Sequence, residues 1–292
     1  MADSPMRIVL FSNLSPFASR FEQVLKAFGH VPAGIVTTPG PGKNRSSSYV
    51  DIVQVTRPGI DVVVSNYPGR WAQMIEPMRP DLVLSMGFPW LIPEDVLAVP
   101  PLGAINIHAS SLPKYRGPHP IGWAFRNGDS ELGLTIHRLD STFDTGNILA
   151  TGTVPLTDDD DFSTVGDIYS QLLFALLGAA LERAARGDAG EPQSEDGASE
   201  APFFEPEWRF VDWNSPARTI HNQVRSWTGD RNISKGALAT IDNQEICITR
   251  TRLVHDETAS VAPGTVISRD GSTIRVQCGD MPIDVIEHMT ER

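Results

Sequence analysis

The chain has 292 residues, 40% of them hydrophobic, and a formal charge of −12, enough for one large or two ordinary domains with a sizeable core. No run of 18 or more apolar residues occurs and no basic-then-apolar leader opens the chain, so neither a membrane span nor a signal peptide is expected. Cys247 and Cys278, with no Cys-x-x-Cys, exclude a disulfide frame and a thiolate metal site, and fit a reduced, cytoplasmic protein.

"MRIVLFS" (6–12) is a continuous apolar run, as in a buried parallel strand. "FASRFEQVLKAFG" (17–29) then spaces Phe17, Phe21, Val24, Leu25 and Phe28 as one helix, stopped by Gly29. "VPAGIVTT" (31–38) is the next strand, and this β-α-β start predicts a doubly wound sheet. The first turn, "SNLSPF" (12–17), lacks G-x-G-x-x-G, so no dinucleotide loop is supported. A polar loop (39–49) carries Lys43 and Arg45. "IDVVVSN" (60–66) and "PDLVLSMG" (80–87) are strands around a helical "PGRWAQMIEPM", and "GAINIHA" (103–109) is another strand.

"HPIGWAFRNG" (119–128) predicts a short helix; "ELGLTIHRLD" and "GNILATGTVPL" predict strands on either side of "STFDT" (141–145). A long helix follows over 165–185, capped by Ser163 or Thr164, with Ile168, Leu172, Leu176 and Ala179 near one face. Residues 158–161 and 186–200 each carry four net negative charges and read as solvated. The second stretch reads as a linker. A helix beginning near Ser215-Pro216 and five short strands then predict a small β-barrel. The expected architecture is α/β: a doubly wound, mostly parallel sheet over 1–185, a linker at 186–202, and a C-terminal barrel over 203–292.

Residues two apart in a strand point to one face. Asn106 and His108 therefore share a face at a strand's C-terminal end, where open α/β sheets form their ligand crevice. An amide N–H and an imidazolium can stabilise the oxyanion formed when a carbonyl is attacked, and the imidazole can carry the proton. A carboxylate to orient the imidazole completes the set; Asp144 is the candidate and Asp140 competes. His137 lies on a strand beside them, with a supporting role behind the site as one reading and packing as the preferred one. The lone "DTG" (144–146) does not make an aspartic protease, no G-x-S-x-G supports a serine hydrolase, and Asp158–Asp161 reads as a solvated loop, not a metal cradle.

Residues 106–149, "NIHASSLPKYRGPHPIGWAFRNGDSELGLTIHRLDSTFDTGNIL", resemble the signature of the folate-dependent formyltransferases: Asn-x-His, a Ser/Leu/Pro run, Arg-Gly, a Trp-containing helix, Gly-x-Thr and Asp-Thr-Gly in order. The similarity covers nearly the whole chain, including "VDWNSPARTIHNQVRSWT" and "APGTVI". It implies a catalytic set of Asn106, His108 and Asp144, with Asp144 keeping His108 protonated and Asn106 holding the oxyanion. It implies 10-formyltetrahydrofolate as donor and a primary amine as acceptor. The pterin is expected against main chain at Phe88 to Ile92, which includes Trp90 and Leu91. The loop Asp140 to Asp144, with Phe143, is expected opposite, and Ser110, Ser111, Leu112 and Pro113 in the same cleft.

The departures bear on the acceptor. Ser111 replaces the first of two leucines, and Pro118 stands where the branch acting on nucleotide-linked amino sugars has Arg. The branch that formylates initiator tRNA carries a long basic loop near 39–49 and a basic C-terminal end, both thin here. Residues 203–292 hold 10 Lys/Arg against 13 Asp/Glu, whereas phosphate neutralisation dominates tRNA affinity. A small-molecule amine is therefore expected as acceptor, initiator methionyl-tRNA as the alternative, and hydrolysis of the donor as a further one.

Overall fold

A computed structural model describes residues 4–41, 47–228, 236–254 and 260–290; Lys43 and Arg45 lie outside them. The chain forms two compact units. The first comprises 1–118, 133–153 and 170–200, and the second 119–132, 154–169 and 201–292. Both are discontinuous, unlike the contiguous segments expected, because helix Pro120–Asn127 packs with the much later helix Ala217–Trp227. Composition along a chain does not report such a pairing.

The first unit is built on β1 (Arg7–Ser12), β2 (Val31–Thr37), β3 (Val62–Val64), β4 (Leu82–Met86), β5 (Ala104–His108), β6 (Glu131–Arg138) and β7 (Ile148–Pro155). Their order is β3-β2-β1-β4-β5-β6-β7. β1 to β5 run parallel and β6 is antiparallel to β5. Strand order reverses at β1, the position where doubly wound sheets open a crevice beyond their C-terminal ends. Ile8 to Phe11 are fully buried, and each such side chain contributes about 1.5–3 kcal/mol. Val9 and Phe11 join Trp71, Ile75, Val83, Ile92 and Val96 in one apolar layer.

The helix expected over 17–29 is two, Ser15–Ala18 and Phe21–Ala27. Arg20 N–H turns back to the Phe17 carbonyl and Ser19 Oγ donates to Pro16, closing the first turn early. The long helix spans Phe162–Ala185. Its buried residues are Val165, Tyr169, Leu177, Ala180, Leu181 and Ala184, a stripe rotated from the one expected. By length and composition this helix could cross a membrane, with a mean hydropathy of 1.4; Asp167, Ser170 and Gln171 interrupt its apolar run.

Residues 186–200 are strapped to the first unit instead of hanging free. Glu191 bridges to Ile148 and Glu200 to Arg116 through backbone pairing. Arg183 reaches Asp188 at 2.7 Å and Glu191 at 2.9 Å. Protein groups satisfy the polar atoms that a composition reading assigns to water.

In the second unit β8 (Ala237–Ile241), β9 (Gln244–Leu253), β10 (Val266–Asp270), β11 (Thr273–Gln277) and β12 (Pro282–Thr290) form an antiparallel sheet in the order β10-β11-β12-β9-β8. These are the five strands expected. Ile220, Val224 and Trp227 of helix Ala217–Trp227 share a core with Ile248, Val276, Ile283 and Val285.

Candidate functional site

β5 delivers Asn106 and His108 to the C-terminal edge of the parallel strands, and β6 lies beside it with His137 directly opposite Asn106. The loop after β6 supplies Asp144. His108, Asp144 and His137 are 6%, 8% and 0% exposed, and Asn106 is half-buried.

One carboxylate oxygen is the junction. Asp144 Oδ1 lies 3.3 Å from Asn106 Nδ2 and 3.5 Å from both His108 Nδ1 and His137 Nε2. Its other oxygen accepts the Gly117 N–H at 2.8 Å. Asp140 does not take part: its Oδ1 accepts from Thr142 N, Thr142 Oγ1 and Thr145 Oγ1, all at 3.0 Å, and so shapes its own loop.

Backbone carbonyls set the tautomers. His108 Nε2 is 2.8 Å from the Tyr115 carbonyl, so that nitrogen carries the proton and Nδ1 offers its lone pair toward Asp144. His137 Nδ1 donates likewise to the Arg138 carbonyl at 2.8 Å, and its Nε2 lies 3.2 Å from Asn106 Nδ2 and 3.5 Å from Asp144 Oδ1. His137 therefore touches both Asn106 and Asp144. The signal available beforehand was register: antiparallel pairing of β5 with β6 sets it across from Asn106.

Burial pushes the His108 pKa below its usual value; the Asp144 charge and the Tyr115 carbonyl oppose this without reversing it. Burial thus works against the expected role of Asp144 in keeping His108 protonated. Burial also acts to raise Asp144, but the His137 hydrogen bond, the His108 and His137 charges and the Gly117 N–H together hold it below the ordinary carboxylate value. The arrangement is a carboxylate beside a basic imidazole nitrogen, able to take one proton and keep the resulting pair together.

The motif residues around this junction have steric reasons. A Cβ on Gly133 would collide with Ser111, and one on Gly146 with the Arg138 carbonyl, so both strand-to-loop contacts require glycine. Thr135 Oγ1 donates to the Ser110 carbonyl at 2.7 Å and accepts from Leu112 N at 3.2 Å, pinning the loop after β5. Asp144 itself has φ +56°, a left-handed conformation that costs a non-glycine residue roughly 1–3 kcal/mol. Gln193 Nε2 holds it there by donating to the Asp144 and Gly146 carbonyls at 2.9 and 2.8 Å. Gln193 falls in the presumed linker, and nothing in the sequence marked it.

The residues expected to receive the donor divide into two sets. Phe88 packs edge-on against Phe11 and Trp71, Trp90 packs against Trp71, and Ile92 is buried, so these side chains face the core and leave main chain to meet a ligand. The Trp90 indole N–H is buried without an acceptor among the described residues. Leu91 and Phe143 are 38% and 58% exposed, apolar surface that a flat ring would cover. Ser110 and Leu112 turn inward, while Ser111 and Pro113 are half-buried. Among the described residues no cluster of three or more His, Cys, Asp or Glu is arranged to hold a metal ion.

Residues 44–175 match the family described as formyl transferase, and residues 204–292 match its C-terminal domain. A protein of Pelobacter propionicus named methionyl-tRNA formyltransferase is 30% identical over 94% of this chain and 86% of its own length. In fold, the chain is similar to HypX from Aquifex aeolicus in complex with tetrahydrofolic acid, with a TM-score of 0.67 and 20% identity. That likeness covers 99% of this chain but 45% of HypX, so this chain spans less than half of that protein. It is also similar to the N-formyltransferase from Helicobacter canadensis in complex with folinic acid and dTDP-3-aminofucose, with a TM-score of 0.65, 17% identity and coverage of 96% and 98% of the two chains.

Proposed function

This chain belongs to the formyl transferase family and is an N-formyltransferase, and on that premise we propose how its own residues move the formyl group from 10-formyltetrahydrofolate to a primary amine. The observation that carries the mechanism is the single oxygen, Asp144 Oδ1, shared by His108, His137 and Asn106.

The amine nitrogen attacks the formyl carbon, forming a C–N bond and placing negative charge on the formyl oxygen. Neutral His108 takes the proton lost by the amine at Nδ1, with Asp144 stabilising the imidazolium. As that pair forms, Asp144 Oδ1 gains a stronger partner than the 3.3 Å bond from Asn106. The freed Asn106 N–H then donates to the oxyanion. When the bond to N10 breaks, His108 returns the proton to N10, giving the formamide and tetrahydrofolate. The exposed faces of Leu91 and Phe143 and the main chain at 88–92 suit a pterin. The test is tetrahydrofolate production from 10-formyltetrahydrofolate, with and without amine. Formate release that ignores the amine would instead assign hydrolysis.

For the acceptor we infer a small-molecule amine. In the second unit Arg218, Arg250, Arg252, Arg269 and Arg275 each face a carboxylate. Cations already paired offer little to phosphates. A second reading, initiator methionyl-tRNA, is favoured by the name of the Pelobacter relative over 94% of this chain. Formylation of methionyl-tRNA at physiological salt, side by side with a panel of amino sugars and amino acid derivatives, decides between them; efficient, salt-sensitive formylation of the tRNA overturns the first reading.

A further inference from the structure

The catalytic carboxylate is held between two loops. One, residues 112–117, supplies the Tyr115 carbonyl that anchors His108 and the Gly117 N–H that anchors Asp144. The other, residues 140–146, carries Asp144 in its left-handed conformation. A single side chain from outside both loops spans them. Gln193 Nε2 donates to the Asp144 and Gly146 carbonyls, and Gln193 Oε1 accepts from Arg116 Nε at 3.2 Å and Nη2 at 2.9 Å.

The chemistry at this point admits one residue type. The two carbonyls only accept and the guanidinium only donates, so the bridging group must donate at one end and accept at the other. A carboxylate would set oxygen against two carbonyl oxygens; an ammonium would face the guanidinium. Only an amide at the reach of glutamine satisfies all four contacts. The rest of its segment reinforces the same loop: Ser199 Oγ accepts from Tyr115 N at 2.9 Å, and the Ser199 carbonyl accepts from Arg116 N at 2.8 Å.

We propose that Gln193 is a positioning residue for formyl transfer: its amide couples the Arg116 loop to the Asp144 loop and so sets the distance between the Asp144 carboxylate and the His108 and Asn106 side chains. The segment 186–200 is then a strap on the catalytic centre. This rests on the mechanism proposed above, in which Asp144 stabilises His108 as it takes the proton.

Gln193→Met keeps length and bulk but removes both donor and acceptor; Gln193→Glu keeps the contact to Arg116 and repels the two carbonyls. Two readouts are taken on the full chain. In steady-state formyl transfer, both variants are expected to lose roughly 10- to 100-fold in kcat, because a small misplacement of a catalytic group has that effect. The KM for 10-formyltetrahydrofolate should stay within about 3-fold, since Gln193 is not proposed to touch the donor. In NMR titration of the His108 imidazole without substrate, the pKa should fall further below wild type. The titratable groups facing His108 are Asp144 and His137; of these two the Asp144 charge, alongside the Tyr115 carbonyl, opposes the effect of burial. The titration needs no turnover, so it tests the positioning even if the wild type transfers no formyl group, a result that would count against the functional reading alone. A folded Gln193→Met with wild-type kcat and wild-type His108 titration overturns the proposal. So does failure of both variants to fold, which makes Gln193 a stability element.

Discussion

Asp144 and Asp284 are both buried carboxylates held below the ordinary value, and their surroundings differ in kind. Asp284 on β12 is 2% exposed, with Arg252 of β9 at 3.0 Å and Arg275 of β11 at 2.7 Å; register aligns the three side by side. Burial works against its charge, and two permanent cations more than offset it. Asp144 faces two imidazoles at 3.5 Å, an amide and one backbone N–H. Two of its partners are imidazoles, a side-chain type that can carry or release a proton, whereas those of Asp284 are guanidinium groups. The first arrangement is suited to moving a proton, the second to holding strands together.

The comparison breaks first at His108. His108→Ala should lower kcat by roughly 10²- to 10⁴-fold in a folded protein, because proton transfer and stabilisation of the developing charge go together. Near-wild-type turnover would show that the imidazole beside Asp144 is ornamental.

Asp144→Asn retains shape and removes the charge that His108 needs once protonated. A kcat loss of about 10²-fold is expected, with donor binding by calorimetry little changed. Asp140→Asn is the control and should stay within about 3-fold, since among the described residues Asp140 bonds within its own loop. The reverse pattern would transfer the catalytic role to Asp140.

Asp284→Asn should leave kcat intact at permissive temperature. It should destabilise by roughly 1.5–3 kcal/mol, the range for hydrogen bonds to charged groups, as read by denaturant unfolding. The partly exposed arginines can rehydrate, which keeps the loss below that of a fully buried pair. A fall in kcat without a fall in stability would contradict the division drawn here.

The smallest effect is in pH dependence. Neutral His108 is the working form and burial lowers its pKa. The acid limb of kcat should therefore lie below about pH 6.5, the usual histidine value, with activity rising as pH climbs through it. The same depressed pKa makes a contribution to stability that is complete above about pH 6.5 and lost as pH falls through the folded value. Asp144 and Asp284 behave alike at lower pH: their contributions are present above about pH 4 and fade below it. Asp284→Asn should alter only this last limb of the melting-temperature profile and leave the activity limb in place. An acid limb of kcat above pH 6.5 would rule out a His108 depressed by burial.

Much of this was legible along the chain. Apolar runs such as Ile8–Phe11 are one-dimensional signals of a buried parallel strand, and they are buried. The two-residue spacing of Asn106 and His108 fixes a common face once the segment is a strand. The stripe of helix Phe162–Ala185 was read rotated, because Leu, Ala and Phe occur all round it and periodicity does not choose among them. The strap was missed because its acidic composition matches that of a solvated linker.

By itself, then, the sequence determined the order of strands and helices, the ordered motif from Asn106 to Asp-Thr-Gly, and the residue types available for proton transfer. Those follow from local periodicity and covalent spacing. Tertiary structure decided which carboxylate joins them, that His137 shares it, that burial works against a charge on His108, and that residues 186–200 grip the site. Each of these depends on distances between residues remote in sequence and on how much water their packing excludes, and no local pattern along the chain encodes either.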